Sequence, residues 1–387
     1  MKYFVIVFWV CFFLGTLLAS SGGPDAFGYT WIDSRESTGP DFRWIEIKDI
    51  GVSLSLSSDS LQTVPLPRTF TFYGNAYNSI TVSENGVATF ISTSYLSPTT
   101  WSTFPYADGY NCILSPLWNN FDIRTGGTDT GIFFYYDSSH FIIEWCNVPE
   151  ISYPHNKYSF QIVLDFNSDM IFFNYLNVPV FLGYNTAYIG IENQTSTVGL
   201  NYGRYSYIYT TTLENELSIR FSDKNFKFVP YFNNLRDLVD FTFPTGTGFE
   251  HGFPTVGPFP HSESHCIATK LTANYMNSVN WLLLTPEFYL GDIQHPVFDL
   301  WHWYSMEEGV DGGIFEITTN GGSSWEIIEP EGGYPTHLTG GPLTGLSAFS
   351  GQTEDWEKIS FDLGDYTDMV VQFRAHFFSD AANNAEG

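Results

Sequence analysis

Residues 297–330 alternate short aromatic runs with turns rich in glycine and acidic residues, and this stretch constrains the fold most strongly. Two apolar runs flank an acidic turn at 307–313, and an Asn-Gly-Gly turn at 320–322 leads into a third run that begins at Trp325. Asn-Gly and Gly-Gly pairs are typical of the tight turns that join antiparallel strands. The stretch therefore predicts β-strands joined by hairpin turns, and the same pattern recurs along the chain.

The composition of the chain favours strands and turns over helices. Its 387 residues include 36 Phe, 24 Tyr and 11 Trp, together with 34 Gly and 20 Pro. Aromatic side chains pack well in β-sheets, whereas Gly and Pro are typical of turns. A chain of this length can also form two domains with separate cores. We therefore expect an all-β fold of two tandem antiparallel β-sandwich domains with a jelly-roll-like arrangement of strands.

The chain is strongly acidic, with 42 Asp and Glu residues against 15 Lys and Arg residues and a net charge of -27. Such a surface repels the phosphates of nucleic acids and of anionic membranes, so we expect no nucleic-acid partner. Clustered carboxylates instead attract hard cations, which makes calcium the one cofactor that the composition suggests.

The N-terminal residues have the pattern of a secretory signal peptide. Lys2 precedes an apolar run at 3–18, and small residues follow at 19–21. The apolar run is shorter than the stretch of about 20 residues that a membrane-spanning helix needs. We therefore expect a signal peptide at residues 1–21, a secreted or cell-surface location, and no membrane insertion of the mature chain.

Removal of this signal would leave three cysteines, Cys112, Cys146 and Cys266. An odd number allows at most one intramolecular disulfide and excludes a disulfide scaffold. Cys112 and Cys146 lie on predicted strands of one region, so they are the better candidate pair. Three buried free thiols are an equally acceptable alternative.

Strand signals follow one another between residues 24 and 222. A strand is predicted at Phe42–Ile47, and a hairpin turn is predicted at residues 84–86, Glu-Asn-Gly. Residues 158–164 alternate in polarity with the period of a strand that has one buried face. Turn signals about every 8 to 12 residues are typical of a sandwich or a barrel of antiparallel strands.

Several motifs of this region resemble, in their order, a nidogen-like β-sandwich module of large secreted bacterial proteins. They include GPDAFGYTWIDS, PLPRTFTFYGNAYNSITVSENGVATF, ILSPLWNNFDI and YSFQIVLDFNSDMIFFNY. The resemblance covers residues 24–222 and implies a β-sandwich, commonly followed by peptidase-associated or sorting modules. It implies no catalytic residues.

Residues 223–248 mix prolines, glycines and charged residues, and we interpret them as a linker. The region that follows this linker resembles a second known module. The motifs WLLLTPEFYLGD, VFDLWHWYSMEEGVDGGIFEITTNGGSSWEIIEP and DMVVQFRAHFFSD resemble the MAM-like jelly-roll module attached to immune inhibitor A-type secreted metallopeptidases. This resemblance covers residues 249–387. Because that family continues with a further strand and paired aspartates, it also implies a C-terminally incomplete module and a fragment of a longer protein.

The acidic turn is a candidate cation site. Its carboxylates, Glu307, Glu308 and Asp311, are close in sequence and would bind calcium if carbonyl oxygens completed the coordination. A solvated acidic loop is the alternative, and it is the more common case. The MAM-like resemblance implies a calcium ion that joins the first strand to the last, which adds Glu250 and Asp380 to the candidates.

No catalytic residue is predicted. His261 and His265 have the spacing of a zinc-binding pair, but the prolines that precede them exclude the helix that such a site needs. The segment around Ser347 lacks the second glycine of a nucleophile elbow. His302 is expected in or near the core, and the turn at 318–325 resembles an Asp-box, a hairpin that stabilises folds.

Aromatic side chains are candidates for a sugar-binding platform, because flat rings stack on the faces of sugars. The candidates are Trp101, Trp118, Tyr136, Trp145 and Trp281. Most large aromatic residues of a sandwich lie in its core, so a core position is the simpler interpretation.

These observations favour non-catalytic binding, adhesion or spacer modules of a larger secreted or surface protein, with a glycan or an extracellular protein as the partner. Two alternatives remain open. One is the N-terminal accessory region of a secreted metallopeptidase whose catalytic domain lies outside this chain. The other is a calcium-dependent glycan-binding protein.

Overall fold

The structure is a computed structural model. It describes residues 21–387 apart from 37, 57–58, 97–101, 108, 110, 180–185, 207–212, 224–225, 230, 237–240, 263–264 and 292. Of the predicted signal peptide, only Ser21 lies inside the described part. The chain divides into two compact units, of which the first ends at Asp223 and the second is Lys224–Gly387.

The prediction of an all-β fold is confirmed. The described residues contain 25 β-strands and no α-helix. Their short helical turns are the 3-10 segments Ile123–Thr125 and Gly364–Tyr366. Within the same residues, no helix has the length and hydropathy needed to span a bilayer.

Strands of the first unit form two antiparallel sheets. They are β1 (Ser21–Gly22), β2 (Thr30–Asp33), β3 (Val52–Ser53), β4 (Leu61–Phe72), β5 (Asn75–Ser83), β6 (Ala88–Thr89), β7 (Ile113–Trp118), β8 (Gly131–Tyr136), β9 (His140–Glu150), β10 (Tyr153–Asp165), β11 (Ile171–Asn177), β12 (Ala187–Glu192), β13 (Gly199–Tyr205) and β14 (Leu217–Ser222). One sheet has the order β1-β2-β14-β11-β10-β9-β8-β3, and the other has the order β13-β12-β7-β6-β5-β4.

The two sheets share one aromatic core, which is the arrangement of a β-sandwich. Phe160 of β10 belongs to the same cluster of buried side chains as Phe70 and Ile189 from the other sheet. The ring of Trp145 stacks on Phe160 with 5.0 Å between centroids. The alternation predicted over 158–164 therefore places its apolar side chains in this core.

The outer face of β10 is also covered, which the alternating pattern did not predict. Gln161 is buried there, and its side-chain amide donates a 2.6 Å hydrogen bond to the carbonyl of Ile45. The carbonyl of Arg43 accepts a 3.0 Å hydrogen bond from the amide of Asn174. The prediction of a strand at Phe42–Ile47 is therefore wrong, because side chains of the sheet, rather than a neighbouring strand, bond this segment's backbone.

The predicted turn at 84–86 joins β5 to β6 and is buried although it is polar. Glu84 and Asn85 are both 0% exposed. The Asn85 side chain accepts a 3.0 Å hydrogen bond from the amide of Phe121, and the Glu84 carboxylate accepts one of 2.9 Å from the amide of Ile123. This turn therefore fixes the segment that follows β7.

The second unit has one larger sheet and three two-stranded ribbons among its described residues. Its strands are β15 (Lys227–Phe228), β16 (Glu250–Gly252), β17 (Cys266–Ala268), β18 (Asn280–Tyr289), β19 (Val297–His302), β20 (Gly312–Thr318), β21 (Glu326–Ile328), β22 (Thr336–His337), β23 (Ser347–Ala348), β24 (Glu357–Asp362) and β25 (Val370–Phe378). The larger sheet has the order β15-β18-β25-β20-β21, and the ribbons are β16-β17, β19-β24 and β22-β23.

The β19-β24 ribbon covers one face of the larger sheet. Phe361 of β24 belongs to a buried cluster with Phe373 of β25 and Ile317 of β20, and Phe298 of β19 packs against that cluster. The rings of Phe298 and Phe373 stack with 4.3 Å between centroids. This layering leaves the other face of the ribbon directed outward.

Part of the predicted linker, 223–248, contributes to the second unit. Lys227–Phe228 pairs in parallel with residues 288–289 of β18. Thr242 also exchanges backbone hydrogen bonds of 2.9 and 3.0 Å with Leu284. The segment is therefore hydrogen-bonded into a sheet where the sequence indicated a free connection.

Substitution of Gly86 by alanine tests the buried turn. The φ angle of Gly86 is 70°, and a Cβ atom there would lie 2.2 Å from the carbonyl oxygen of Leu117. Because both the backbone strain and the clash oppose a side chain, we expect Gly86→Ala to lower the free energy of unfolding of the first unit by about 3 kcal/mol or more in chemical denaturation.

Gly109→Ala is the matched control for this variant. Its φ angle is also positive, at 88°, but nothing lies within 4 Å of an added Cβ atom. We expect a loss of only about 1 kcal/mol, from backbone strain alone. Equal losses in the two variants would show that the buried contact is unimportant.

Candidate cation site

Three carboxylates meet where two paired strands of the second unit end. Suitable ligand atoms of Glu307, Asp311 and Asp380 lie within 4.8 Å of one another. Glu307 and Asp311 precede β20, and Asp380 follows β25. Gly312 of β20 pairs with Phe378 of β25, so the register places these flanking residues at the same end of the two strands.

Asp311 is the most enclosed member of this carboxylate group, with 0% exposure. The hydroxyl of Tyr275 donates a 2.7 Å hydrogen bond to its Oδ2, and the backbone amide of Asp380 donates one of 2.8 Å to its Oδ1. Burial raises the pKa of Asp311, and the neighbouring carboxylates of Asp380 and Glu307 raise it further. A cation bound here would offset both effects.

Glu307 supplies an oxygen that lacks a partner. Its Oε1 accepts a 2.9 Å hydrogen bond from the side chain of Asn383. Its Oε2 is buried and has no hydrogen-bond partner. A buried acceptor without a partner costs about 1 to 3 kcal/mol in proteins, and more when it is charged. The protein itself therefore does not supply all the hydrogen bonds that the Glu307 carboxylate can accept.

The donors in this group fit a hard cation. Calcium takes six to eight oxygen ligands, and it accepts carboxylate and backbone carbonyl oxygens as well as water. Glu307, Asp311 and Asp380 supply oxygen only, whereas structural zinc sites are built largely from sulfur and nitrogen ligands. The residues present therefore fit calcium, with carbonyl oxygens or water completing the shell.

The other two predicted ligands lie outside the group. The Glu250 carboxylate binds Lys270 Nζ at 2.5 Å and accepts a 2.9 Å hydrogen bond from the amide of Leu271. The hydrogen bond from Lys270 lowers the pKa of Glu250. Glu308 is exposed on the acidic turn, and the structure does not place it among the grouped ligands.

The cysteines do not form the disulfide that was the better candidate pair. Cys112, Cys146 and Cys266 are all buried and free. Cys112 Sγ donates to the hydroxyl of Tyr77 at 3.2 Å, and Cys146 Sγ donates to the carbonyl of Asp129 at 3.5 Å. Cys146 lies on β9 and Cys112 directly precedes β7, which belongs to the other sheet. The structure therefore shows the alternative of buried free thiols.

The histidines that the sequence singled out have other roles. His302 packs edge-on against Phe349 at 4.4 Å between centroids, and burial lowers its pKa to about 4. His302 is thus a neutral core residue at physiological pH. His261 stacks on Trp301, and the ring of His265 stacks on that of His251.

The Asp-box-like turn at 318–325 is stabilised by its own side chains. Thr318 Oγ1 accepts a 3.1 Å hydrogen bond from the amide of Gly322, and Asn320 Oδ1 accepts one of 2.9 Å from the amide of Ser324. These bonds replace backbone partners that a tight turn lacks. The geometry is that of a turn that stabilises the hairpin between β20 and β21.

Most of the aromatic residues predicted as platform candidates lie in the cores. Trp118, Trp145 and Trp281 are buried, Tyr136 is 50% exposed, and Trp101 lies outside the described residues. Sequence reasoning instead missed Trp301, which is 46% exposed. The signal was present in the alternation of residues 297–302, because the inward positions are Phe, Leu and His.

The first unit contains two buried glutamates whose ionisation is strongly disfavoured. Burial raises the pKa of Glu144 from 4.5 to about 7, and it does the same for Glu150. Glu144 accepts a 3.1 Å hydrogen bond from Gln161, while Oε1 of Glu150 is buried without a partner. Both lie on β9, where their carboxyl groups are largely protonated below neutral pH.

Comparison with known proteins identifies a family and a relative. The sequence model of the family described as NIDO related matches residues 37–230, about half of the 387-residue chain. Bacillopeptidase F of Bacillus subtilis (strain 168) is 25% identical to the chain over 144 residues, which are 37% of this chain and 9% of that protein. The chain thus spans less than a tenth of the length of this relative. No solved structure matches the chain.

The buried glutamates make a prediction about pH. With folded-state pKa values near 7 and ordinary values of 4.5, the native state binds more protons than the unfolded state between these limits. The free energy of unfolding therefore falls as pH rises through this window. We expect the first unit to resist urea better at about pH 5 than at about pH 8, by roughly 2 kcal/mol or more.

Glu144→Gln and Glu150→Gln identify the groups responsible. Each variant is expected to lose less stability across this pH range than the parent chain, because an amide does not titrate. Asp49→Asn, at an exposed position, is the control and should keep the parental pH dependence. The same pH dependence in all four proteins would exclude the two glutamates as its source.

Proposed function

This chain belongs to the NIDO-related family, and from that membership we propose that it acts as non-catalytic binding or spacer modules of a larger secreted or surface protein. The proposed modules are residues 24–222 and 249–387, the second being MAM-like. Rigid sheets would present loops and exposed side chains to an extracellular partner. Similarity to under a tenth of a much longer protein supports a modular role.

Calcium is part of this proposal. The observation that carries it is the grouping of Glu307, Asp311 and Asp380 around a buried oxygen without a hydrogen-bond partner. A calcium ion bound to these carboxylates would fix the acidic turn to the segment that follows β25. It would thereby hold the loops at this edge of the second unit in one conformation for binding.

Thermal unfolding followed by calorimetry, with calcium added and then removed by a chelator, tests the calcium site. Calcium at about 100 times its Kd is expected to raise the free energy of unfolding of the second unit by about 2.7 kcal/mol, and a chelator should reverse the rise in Tm. Asp380→Asn should abolish the shift, because it removes a ligand charge while the backbone bond to Asp311 remains. An unchanged Tm in the parent chain would contradict the site.

Glu250→Gln is the matched control for this titration. Glu250 is also a carboxylate of the second unit, but it binds Lys270 and lies outside the group of three. The variant should therefore keep the calcium-dependent rise in Tm. A loss of the rise in this variant would show that the ion binds elsewhere.

A second candidate function is an accessory region of a peptidase. The similarity to Bacillopeptidase F favours it, since that protein is named as a peptidase. In this case a catalytic domain, with the H-E-x-x-H helix of a metallopeptidase, would be encoded by the reading frame that contains this chain. Further β-modules or a sorting signal in that frame would instead favour adhesion or surface display.

A turnover assay separates binding modules from an enzyme. We expect the purified chain to release no product from casein or from mixed polysaccharides, with or without calcium, because both proposed modules act by binding. A glycan array read in calcium and in chelator checks the remaining alternative, a calcium-dependent glycan-binding protein. Product formation that scales with the amount of chain would contradict the non-catalytic role.

A further inference from the structure

Two groups of rings on the second unit, four of them exposed and Trp356 half-buried, are here called the aromatic patch: Phe253, Phe259, His261, Trp301 and Trp356. Phe253 and Phe259 lie 5.8 Å apart between centroids. His261 stacks on Trp301 at 3.9 Å and meets Trp356 edge-on at 6.2 Å. Phe259 is 78% exposed, and Phe253 is 51% exposed. Exposed aromatic rings grouped in this way mark interaction surfaces.

The aromatic patch is held in a fixed arrangement. Trp356 Nε1 donates a 2.8 Å hydrogen bond to the carbonyl of Phe259, which ties the loop to the β19-β24 ribbon. Prolines at 254, 258 and 260 restrict the backbone of the same loop. A partner would therefore meet rings that are already ordered, and little conformational entropy would be lost on binding.

Carboxylates surround the aromatic patch. Trp356 stands in the sequence Glu-Asp-Trp-Glu at 354–357, and all three acidic residues are exposed. Asp299 lies two residues before Trp301 on the same outward face of β19. Lys358 is the cross-strand neighbour of Trp301, and its Nζ binds Asp299 Oδ2 at 2.7 Å. Glu354, Asp355 and Glu357 therefore give this surface an excess of negative charge beyond the Asp299–Lys358 pair.

The second unit shows twice how a cation is bound between an indole ring and a carboxylate. The guanidinium of Arg374 lies 4.4 Å from the ring centroid of Trp325 and binds Glu316 through Nε and Nη2, at 2.6 and 2.9 Å. In the same way, Lys270 Nζ lies 5.7 Å from the ring of Trp281 and 2.5 Å from Glu250 Oε1. The aromatic patch repeats the pairing of rings and carboxylates at the surface.

We propose that the aromatic patch docks an arginine-bearing segment of a partner protein. Guanidinium groups would stack on Trp301 and Trp356, and the flanking carboxylates would bind their N–H groups in pairs. The charge of the patch complements such a segment. This inference rests on the proposed binding role and names the chemistry of the partner.

Other occupants match the charges less well. A second copy of this chain carries the same net charge of -27, so its approach is opposed. A neutral glycan would stack on the aromatic side chains but would make no use of the carboxylates of Glu354, Asp355 and Glu357. Arginine is favoured over lysine because its planar group both stacks on indole and binds carboxylates in a bidentate manner.

Fluorescence anisotropy with the full chain tests the docking. The probe is a short fluorescein-labelled peptide of alternating arginine and glycine, and the control peptide has citrulline in place of arginine. We expect the arginine peptide to bind at least about tenfold more tightly than the citrulline peptide. Raising NaCl from about 50 to about 500 mM should weaken binding severalfold, because salt screens the carboxylates.

Matched variants locate the binding surface. The triple variant Glu354→Gln, Asp355→Asn and Glu357→Gln should weaken binding about tenfold, and Phe259→Ala at least about threefold. The triple variant Glu329→Gln, Glu331→Gln and Asp365→Asn removes the same charge from exposed positions elsewhere in the unit, and Phe232→Ala removes a ring that is 85% exposed. Both controls should change the Kd less than about twofold.

Three results would overturn the proposal: equal binding of the two peptides, equal losses in the two triple variants, or binding of cellohexaose that Trp301→Ala abolishes while the arginine peptide does not bind. The last result would assign the rings to a glycan. Because calcium binding and turnover are measured independently of these peptides, a failure here leaves those two tests unaffected.

Discussion

A carboxylate that is carried into an aromatic core must find a partner there, and this requirement shapes both units. Glu84 is 0% exposed, yet each of its oxygens accepts a backbone hydrogen bond, from Ile123 and from Asp59. The buried charge is therefore used to fix the surrounding chain. The requirement is left incomplete at Oε1 of Glu150 in the first unit and at Oε2 of Glu307 in the second, and among the described residues only Glu307 of these two has further carboxylates grouped with it.

Buried carboxylates whose hydrogen bonds are complete have a structural role, whereas a group of carboxylates with an unpartnered oxygen is a candidate binding site. A satisfied carboxylate such as Glu84 rigidifies a loop and needs nothing further. Glu307, Asp311 and Asp380 form a group whose charges raise one another's cost of burial, which a cation would relieve. At the surface the same acidic composition has a different effect, because carboxylates beside Trp301 and Trp356 complement a cationic partner rather than a metal ion.

The sequence predicted what depends on local periodicity and failed where distant segments intervene. The alternation of residues 158–164 correctly predicted which face of β10 packs in the core. The turn at 84–86 was correctly predicted from its Glu-Asn-Gly sequence alone. The segment 42–47 has the composition of a strand, but its carbonyls are bonded by Gln161 and Asn174, which are far away in sequence. Three of the five predicted ligands meet because of the register between β20 and β25, which no local pattern encodes.

The most direct measurement is a crystal structure of the chain grown in calcium, with anomalous scattering recorded at a long wavelength. We expect an anomalous peak bound by oxygens of Glu307, Asp311 and Asp380 at about 2.3 to 2.6 Å. Density for a water molecule hydrogen-bonded to Oε2 of Glu307, with no anomalous signal at the group, would contradict a calcium site and leave these carboxylates with a purely structural role.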